Sequence, residues 1–275
     1  MNMLASRFSR NALALRSDHP LSDEEIGEVA PSILAHSAHE SRSDRYSHIP
    51  TVDVLDALRK EGFQPFMVCQ TRVRDDGRRP YTKHMLRLRH ADQISGSEAN
   101  EIILLNSHDG TSSYQMLAGM FRFVCKNGIV CGDNVSDIRV PHKGDVVGQV
   151  IDGAFKVLDS FESAAQRRAD MAGTVLDESE QTAFARAALT LRYDEHKPAP
   201  VTERQLLAPR RIEDRASDLW TTFNRVQENI LRGGLHGRNE NGRATTTRAV
   251  TGIDQNIRLN RALWVLADEM RRLRG

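Results

Sequence analysis

Apolar and polar residues alternate with a period of two through most of the segment from Pro65 to Cys131, and from Asp145 onward the apolar residues recur with a helical period. Alternation with period two is typical of strands with two distinct faces, whereas a period near 3.6 is typical of helices. This change of period predicts an α+β fold: an antiparallel meander of about four or five strands, backed by a long helix and followed by a mostly α-helical C-terminal region.

The alternating segment divides at turn residues. Two strands flank "DDGRRP", whose Asp-Gly pair and proline are typical of a hairpin connection. A short fifth strand follows "KNG", and we expect Asn127 and Gly128 to form a tight turn before it. The five predicted strands are "PFMVCQTRVR", "YTKHMLRLRH", "ANEIILLNS", "SSYQMLAGMFRFVC" and "IVCG".

The rest of the chain divides into an arm and helices. Residues 1–45 have few apolar residues and no period, so we expect a flexible N-terminal arm. The core, 46–172, begins with a short helix for which Thr51 is the predicted cap and Gly62 the predicted end. The C-terminal region, 173–275, contains four further helices and the proline-containing linker "DEHKPAP". The second of these helices begins with a capping box at Thr202, and the third ends at Gly233 and Gly234.

Composition narrows the class of protein. The chain has 275 residues, a net charge of +1, three cysteines and no apolar run long enough to cross a bilayer. The basic N-terminus lacks the continuous apolar block of a secretion signal. We therefore expect a soluble cytoplasmic protein without membrane partners, and the near-neutral charge excludes a polycation that coats nucleic acid indiscriminately.

The charge is unevenly distributed. Residues 69–90 contain seven Lys or Arg against two acidic residues, and residues 204–275 contain fourteen Arg against eight acidic residues. With strict alternation, the cations of the two hairpin strands could line one face, with Arg78 and Arg79 at the tip. Such a face is either a solvated outer surface or a groove for a phosphate backbone. The predicted nucleic-acid-binding residues are Arg72, Arg74, Arg78, Arg79, Lys83, Arg87, Arg89, Arg122 and Lys126.

Cys125 and Cys131 stand six positions apart around the predicted turn. This spacing is too wide for the close cysteine pairs of a structural zinc site, so it favours two small packing residues on neighbouring strands over a redox pair or a metal site.

Catalytic motifs are not found in the sequence. His108 and Asp109 in "NSHDG" are adjacent and are the candidates for a metal-dependent nuclease, but no second acidic or histidine cluster stands at a usable spacing. The sequence has no Gly-rich phosphate loop and no nucleophile elbow. We therefore expect a binding protein rather than an enzyme, and one that needs no metal and no cofactor.

The last helices carry many amides among their apolar residues. Asparagine is a weak helix former, so these side chains either bond across a helix pair and fix its register or contact a ligand. The residues are Asn224, Gln227, Asn229, Asn256 and Asn260. The Arg-rich segment "RATTTRAVTG" beside them could bind phosphate or pack on a neighbouring subunit.

Three segments carry a family resemblance: "FRFVCKNGIV", "LWTTFNRVQENILRGG" and "TRAVTGIDQNIRLNRALWVLADEM". From about Tyr46 onward the chain resembles a family of phage- and plasmid-encoded proteins whose domain carries only an unknown-function label. The resemblance implies a cytoplasmic protein of a mobile genetic element and supplies no established catalytic residues.

The order of elements is similar to that of ring-forming single-strand annealing proteins, the class of phage Redβ, RecT and Erf. This topological resemblance implies a basic groove that holds the backbone of single-stranded DNA around an oligomeric ring. The sequence hypothesis is therefore a non-catalytic, homo-oligomeric protein that binds or anneals single-stranded DNA, with a factor that binds an acidic protein, in evasion or regulation of a host, as the alternative.

Overall fold

A computed structural model describes residues 12–37, 49–90, 92, 94–95, 98–124, 126–132, 137–140, 145–194 and 196–274. The chain divides into two compact units. The first comprises Met1–Phe161 with Thr251–Ile253, and the second comprises Glu162–Val250 with Asp254–Gly275. The division falls within a helix, eleven residues before the predicted boundary at 172.

The first unit is built on one antiparallel sheet. Its strand order is β1-β2-β3-β5-β6-β7, with β4 paired to β5 and β8 paired to β6. The strands are β1 (Ala12–Arg16), β2 (Phe63–Thr71), β3 (His84–His90), β4 (Ile94–Ser95), β5 (Glu98–Asn106), β6 (Tyr114–Arg122), β7 (Asn127–Val130) and β8 (Ile138–Val140). The predicted meander of consecutive, antiparallel strands is thereby confirmed, with β1 as an additional member.

Helices cover one face of this sheet. They are α1 (Asp23–Val29), α2 (Thr51–Lys60) and the first part of α3 (Val146–Gly173). The ring of Phe155 in α3 contacts the ring of Phe63 in β2, with centroids 5.9 Å apart. Gly153 leaves room for Met116, whose methyl carbon would lie 2.1 Å from an added Cβ. The predicted α+β class, with a long helix behind the sheet, is confirmed.

The sheet curls into a half-barrel. Four strand-to-strand steps separate β1 from β6, which would place them about 19 Å apart in a flat sheet. Nevertheless, the guanidinium carbon of Arg16 in β1 lies 4.6 Å from the ring centre of Phe121 in β6. We call the line along which β1 approaches β6 the seam. The face of the sheet opposite the helices is therefore the interior of the barrel.

Several local predictions differ from the structure. Within the predicted flexible arm, residues 12–37 form β1, α1 and a 3-10 turn, Pro31–Ile33. The turn after β6 includes Phe123, Val124 and Lys126, and Asn127 is already paired with Arg122 in the sheet. Lys126, with φ of 53°, adopts the left-handed conformation in this turn, rather than Asn127 or Gly128.

The second unit contains the remainder of α3, then α4 (Glu178–Arg192), α5 (Glu203–Leu207), α6 (Leu219–Arg232) and α7 (Ile253–Arg274). The polar segment between α6 and α7 contains a small hairpin, β9 (His236–Arg238) with β10 (Ala244–Thr246). The predicted capping box at Thr202 is present, and α6 ends at Gly233, where φ is 62°. A helical C-terminal region was predicted and is confirmed.

Over the part of the chain that the structure describes, no helix is both long enough and apolar enough to cross a membrane.

Candidate functional site

The nine predicted nucleic-acid-binding residues lie in three different places. Five are in the connection between β2 and β3, two are inside the half-barrel, and two are at the opposite end of the sheet. In this order the groups are Arg72, Arg74, Arg78, Arg79 and Lys83; Arg87 and Arg89; and Arg122 and Lys126. They do not form the single continuous row that the sequence predicted.

The first group belongs to the segment 72–83, which we call the basic connection. Arg72, Arg74 and Arg78 are exposed, and Arg79 and Lys83 are half-buried. The segment contains five cations and two carboxylates. Because β2 ends at Thr71, Arg72 and Arg74 lie beyond the strand and their directions are set by the connection rather than by strand alternation.

The backbone of the basic connection is held by specific hydrogen bonds. Asp75 accepts a hydrogen bond of 3.0 Å from the amide of Gly77 and caps the 3-10 helix Asp76–Tyr81. The buried side chain of Gln70 donates to the carbonyl oxygen of Arg79, at 3.0 Å. The guanidinium of Arg79 in turn donates to the carbonyl oxygen of Glu28, at 3.1 Å. The exposed arginines therefore extend from a positioned segment.

The second group corrects the sequence prediction. Arg87 and Arg89 are 3% and 2% exposed, and both bind the carboxylate of Glu101, which is fully buried. Nη1 of Arg87 lies 2.6 Å from Oε2 of Glu101, and Nε of Arg89 lies 3.0 Å from Oε1. These arginines cannot line a surface groove, because the curl of the sheet encloses the face that carries them.

Aromatic rings complete the surroundings of Arg89. Its guanidinium carbon lies 4.4 Å from the ring centre of Phe66 and 4.3 Å from that of Phe121. The ring of Phe123 is 5.4 Å away. A flat guanidinium between aromatic faces gains cation–π attraction in a desolvated site. The alternation along the strands gives no signal that these rings surround a charge.

Glycine makes room for the second guanidinium. A Cβ at Gly128 in β7 would lie 2.4 Å from Nη1 of Arg87, a distance that no real side chain adopts. Arg87 also donates to the carbonyl oxygen of Ile129, at 3.2 Å. Gly128, expected from the sequence to serve a tight turn, instead accommodates a buried cation.

The carboxylate of Glu101 is held in its charged form. Burial alone would raise its pKa, but the nearby guanidinium groups of Arg87, Arg89 and Arg16 outweigh burial and lower the pKa below its ordinary value. Glu101 was not a predicted site residue. Its signal in the sequence is a carboxylate within the apolar strand "ANEIILLNS", at a position where alternation places it beside the arginines of β3.

The third group lies far from the first. Arg122 ends β6 and pairs with Glu98, whereas Tyr114, at the start of β6, lies at the end of the sheet where the basic connection leaves. Eight residues of strand separate these ends, or roughly 25 Å. Arg122 and Lys126 therefore do not extend the basic connection, which corrects that part of the prediction.

The other face of the sheet carries a buried network of neutral polar groups. Thr51, expected to cap α2, is instead its first residue, and its hydroxyl lies 2.9 Å from Nε2 of His84. Asn106 donates to the same hydroxyl at 3.0 Å, and Tyr114 donates to the carbonyl oxygen of Ile49 at 3.0 Å. Burial lowers the pKa of His84 to about 4, so the imidazole is neutral at pH 7.

The side chains of His108 and Asp109, the candidate nuclease residues, contact threonine side chains of the fold. His108 is fully buried and its Nε2 lies 3.5 Å from the hydroxyl of Thr51. Asp109 accepts hydrogen bonds from the amide and hydroxyl of Thr111, at 3.0 and 2.6 Å. Its partial burial would raise the pKa of Asp109, but the hydrogen bonds, chiefly from Thr111, lower it overall. Within the described ranges, no three His, Cys, Asp or Glu side chains are grouped so as to hold a metal ion.

The cysteine prediction is tested only in part. Cys131 and Cys69 are both buried, and the structure gives no disulfide between described cysteines. Cys125 lies outside the described residues, so the predicted pairing of Cys125 and Cys131 across neighbouring strands stays a prediction. Burial raises the pKa of Cys69 to about 12 even though Arg87 and Arg16 lie nearby.

The amides of the second unit are buried in helix contacts. Gln227 of α6 donates to the side-chain oxygen of Asn260 in α7, at 2.8 Å. Asn260 donates in turn to Asn256, one turn earlier in α7. Asn229 bonds the carbonyl oxygens of Leu206 and Ala208. These bonds match the prediction of amides that join a helix pair.

A family model described as a domain of unknown function, DUF932, matches residues 38–264. The chain belongs to this family. Two relatives from Escherichia coli strain K12, UPF0380 protein YfjQ and UPF0380 protein YafZ, are each 57% identical over 270 residues, which is 98% of this chain and 98% of each relative. No solved structure matches the chain. The predicted membership of an unknown-function family is confirmed.

Proposed function

We propose that this protein binds single-stranded nucleic acid through the basic connection, and that it acts in the cytoplasm as a non-catalytic, homo-oligomeric binding or annealing protein of a phage, plasmid or other mobile element. The origin in a mobile element and the annealing activity are carried by the sequence resemblance. The binding surface is carried by one observation: Arg72, Arg74 and Arg78 are exposed on a connection whose backbone is held in place.

The proposal differs from the sequence hypothesis in its residues. Arg87 and Arg89 are enclosed with Glu101, so the contacts to phosphates fall to the five cations of the basic connection. Asp75 and Asp76 lie in the same segment and reduce its net charge to +3. This modest charge supports binding that is weak at physiological salt and strongly dependent on salt concentration, since each phosphate contact releases counterions.

Oligomerisation would strengthen such binding. A single basic connection contacts few phosphates, but several copies on one strand act together and raise the overall affinity without new contacts. An annealing protein must also present its bound strand to a second strand, which favours contacts to the backbone over contacts to bases.

A charge-reversal experiment tests the proposal. Fluorescence anisotropy of a labelled single-stranded oligonucleotide is titrated with the wild type and with Arg74→Glu/Arg78→Glu at several salt concentrations. We expect the variant to bind at least tenfold more weakly. Loss of two phosphate contacts should also reduce the slope of log K against log salt by about 1.4.

The matched control is Lys156→Glu/Arg204→Glu. Both residues are exposed, and the double substitution changes the net charge by the same amount. Equal weakening by the control and by the test variant would mean that the effect is one of overall charge and would refute the assigned surface. A wild type that does not retain the oligonucleotide at low salt would refute nucleic-acid binding and favour an acidic protein as the partner.

A further inference from the structure

The charges inside the half-barrel do not balance among the described residues. Three guanidinium groups, those of Arg16, Arg87 and Arg89, lie near one carboxylate, that of Glu101. Glu101 bonds Arg87 through Oε2 and Arg89 through Oε1. Neither a hydrogen bond nor an ion pair joins this carboxylate to Arg16 among the described residues.

Arg16 is placed at the seam by the curl of the sheet. Its guanidinium stacks on the ring of Phe121, which also stacks on Arg89, so the two guanidinium carbons are at most about 9 Å apart. Nη1 of Arg16 is buried and has no hydrogen-bond partner among the described residues. Nη2 of Arg89 also lacks ideal hydrogen-bond geometry, but it lies 2.9 Å from Glu101 and is therefore neutralised.

Arg16 as a whole is half-buried, but its Nη1 is buried without an acceptor among the described residues, which is unfavourable. Burial lowers the pKa of Arg16 to about 10, with Arg87 and Arg89 adding to the decrease and Glu101 opposing it. Arg16 is still charged at neutral pH. Buried donors in proteins are nearly always satisfied, and a buried charge is normally paired. An anion that contacts Nη1 would satisfy this donor and also supply a counter-charge.

We propose that the seam is an anion site, in which Arg16 binds a small oxyanion of the phosphate type. A guanidinium presents parallel N–H donors that match two oxygens of a phosphate, and Phe121 holds its plane. A second cation lies at the same end: Lys126, whose Nζ is 3.7 Å from the carboxylate of Asp18, two residues beyond Arg16. The bound anion would complete the charge balance of the barrel interior.

This site is distinct from the proposed nucleic-acid surface. Arg16 pairs with Met67, four residues along β2 from Thr71, where the basic connection begins. Four residues of strand correspond to about 13 Å. Anion binding at the seam and oligonucleotide binding at the basic connection can therefore succeed or fail separately.

Thermal unfolding tests the site. The melting temperature of the wild type is measured in increasing sodium phosphate and in sodium chloride of equal ionic strength. We expect saturable stabilisation by phosphate, reaching about 5 °C when the phosphate concentration is about a hundred times Kd. Arg16→Met, which keeps the apolar stem of the side chain, should lose the phosphate response, and Arg74→Met should keep it.

Three results would overturn the proposal. The first is an equal increase of the melting temperature in chloride, and the second is an increase in phosphate that Arg16→Met retains. The third is a wild type that phosphate does not stabilise, together with an Arg16→Met variant that is more stable than the wild type. If Arg16→Met does not fold, calorimetric titration of the wild type with inorganic phosphate decides, and an absence of saturable binding heat refutes the site.

Further comparisons separate the two sources of phosphate and the two surfaces. A short oligonucleotide with a 5′-phosphate that stabilises the wild type more than its unphosphorylated form, and more than inorganic phosphate, would assign the seam to strand ends. Equal effects of the two oligonucleotides would assign it to a free anion.

Arg74→Glu/Arg78→Glu should keep the phosphate response, and its loss in that variant would refute a separate site.

Discussion

The two faces of the sheet bury different kinds of polar group. On the face covered by α2, Thr51 of that helix is buried with His84 and Asn106, and all three are neutral. On the opposite face, Arg87 and Glu101 are buried as an ion pair. Both clusters use side chains of β3 and β5, and both are almost fully excluded from solvent. Hydrogen bonds hold the first together, although Oδ1 of Asn106 has no partner among the described residues. The second needs opposite charges at close range, because an unpaired ion in a protein interior is far more costly than an unpaired hydroxyl.

This difference means that the two clusters should respond differently to mutation and pH. The ionic cluster depends on one carboxylate that serves several cations, so loss of that carboxylate should be severe. In the neutral cluster, the Nδ1 of His84 faces the carbonyl oxygen of Thr82, at 3.1 Å, and therefore carries the proton. The Nε2 then accepts from Thr51, so the neutral imidazole matches its surroundings.

The largest effect is expected for Glu101→Gln. It leaves Arg87 and Arg89 buried without a counter-charge, and breaking a buried pair in this way costs about 3–5 kcal/mol. Urea denaturation should report this decrease in the free energy of unfolding. The control Glu24→Gln, at an exposed position, should change it by no more than about 0.5 kcal/mol. A small loss in Glu101→Gln would mean that the cluster is not ionic in solution.

The next effect is the pH dependence that His84 contributes. Its pKa is lower in the folded protein than in the unfolded chain, so the unfolded chain takes up the proton more readily. The contribution to stability is constant above pH 7.5 and decreases as the pH falls through 6.5 towards 4, by about 3 kcal/mol in total.

Denaturation measured across this pH range should show the decrease for the wild type. His84→Gln should abolish that part of the pH dependence, while His36→Gln, at an exposed position, should retain it. A pH profile that is unchanged by His84→Gln would contradict the buried, neutral imidazole.

A smaller effect is expected for Gly128→Ala. The added Cβ would meet the guanidinium of Arg87 at 2.4 Å, and overpacking of this kind costs about 1–3 kcal/mol. The control is Gly173→Ala, where nothing lies within 4 Å of the added Cβ. Thermal unfolding measures the melting temperature of each variant. An equal decrease of the melting temperature in both variants would mean that the loss of stability does not come from crowding of Arg87.

The smallest effect on stability is expected for Arg74→Ala. Arg74 is exposed, so its removal should change the free energy of unfolding by less than about 0.5 kcal/mol. The corresponding substitution of a buried cation, Arg87→Ala, should cost several times more, because it also leaves a cavity. Equal costs would contradict the division of the hairpin cations into surface and interior.

Local patterns in the sequence were enough to predict the class of fold and most of its elements. The period of two placed the strands from Phe63 to Val130, and the helical period placed α3 to α7, because local side-chain alternation follows directly from which face is buried. The capping box at Thr202 and the helix end at Gly233 could also be predicted, because each depends only on residues that are neighbours in the sequence. The amide contacts of α6 and α7 were predicted as a kind of interaction, although not as particular pairs.

Which cations face solvent depends on how the sheet folds onto itself. Alternation correctly placed Arg87 and Arg89 on one face, but it cannot tell whether that face is open or enclosed, because both have the same period. The curl of the sheet brings β1 to β6 and turns that face into an interior, where Glu101 from β5 supplies the charge. Closure of this kind depends on contacts between strands distant in sequence, and no local pattern encodes it.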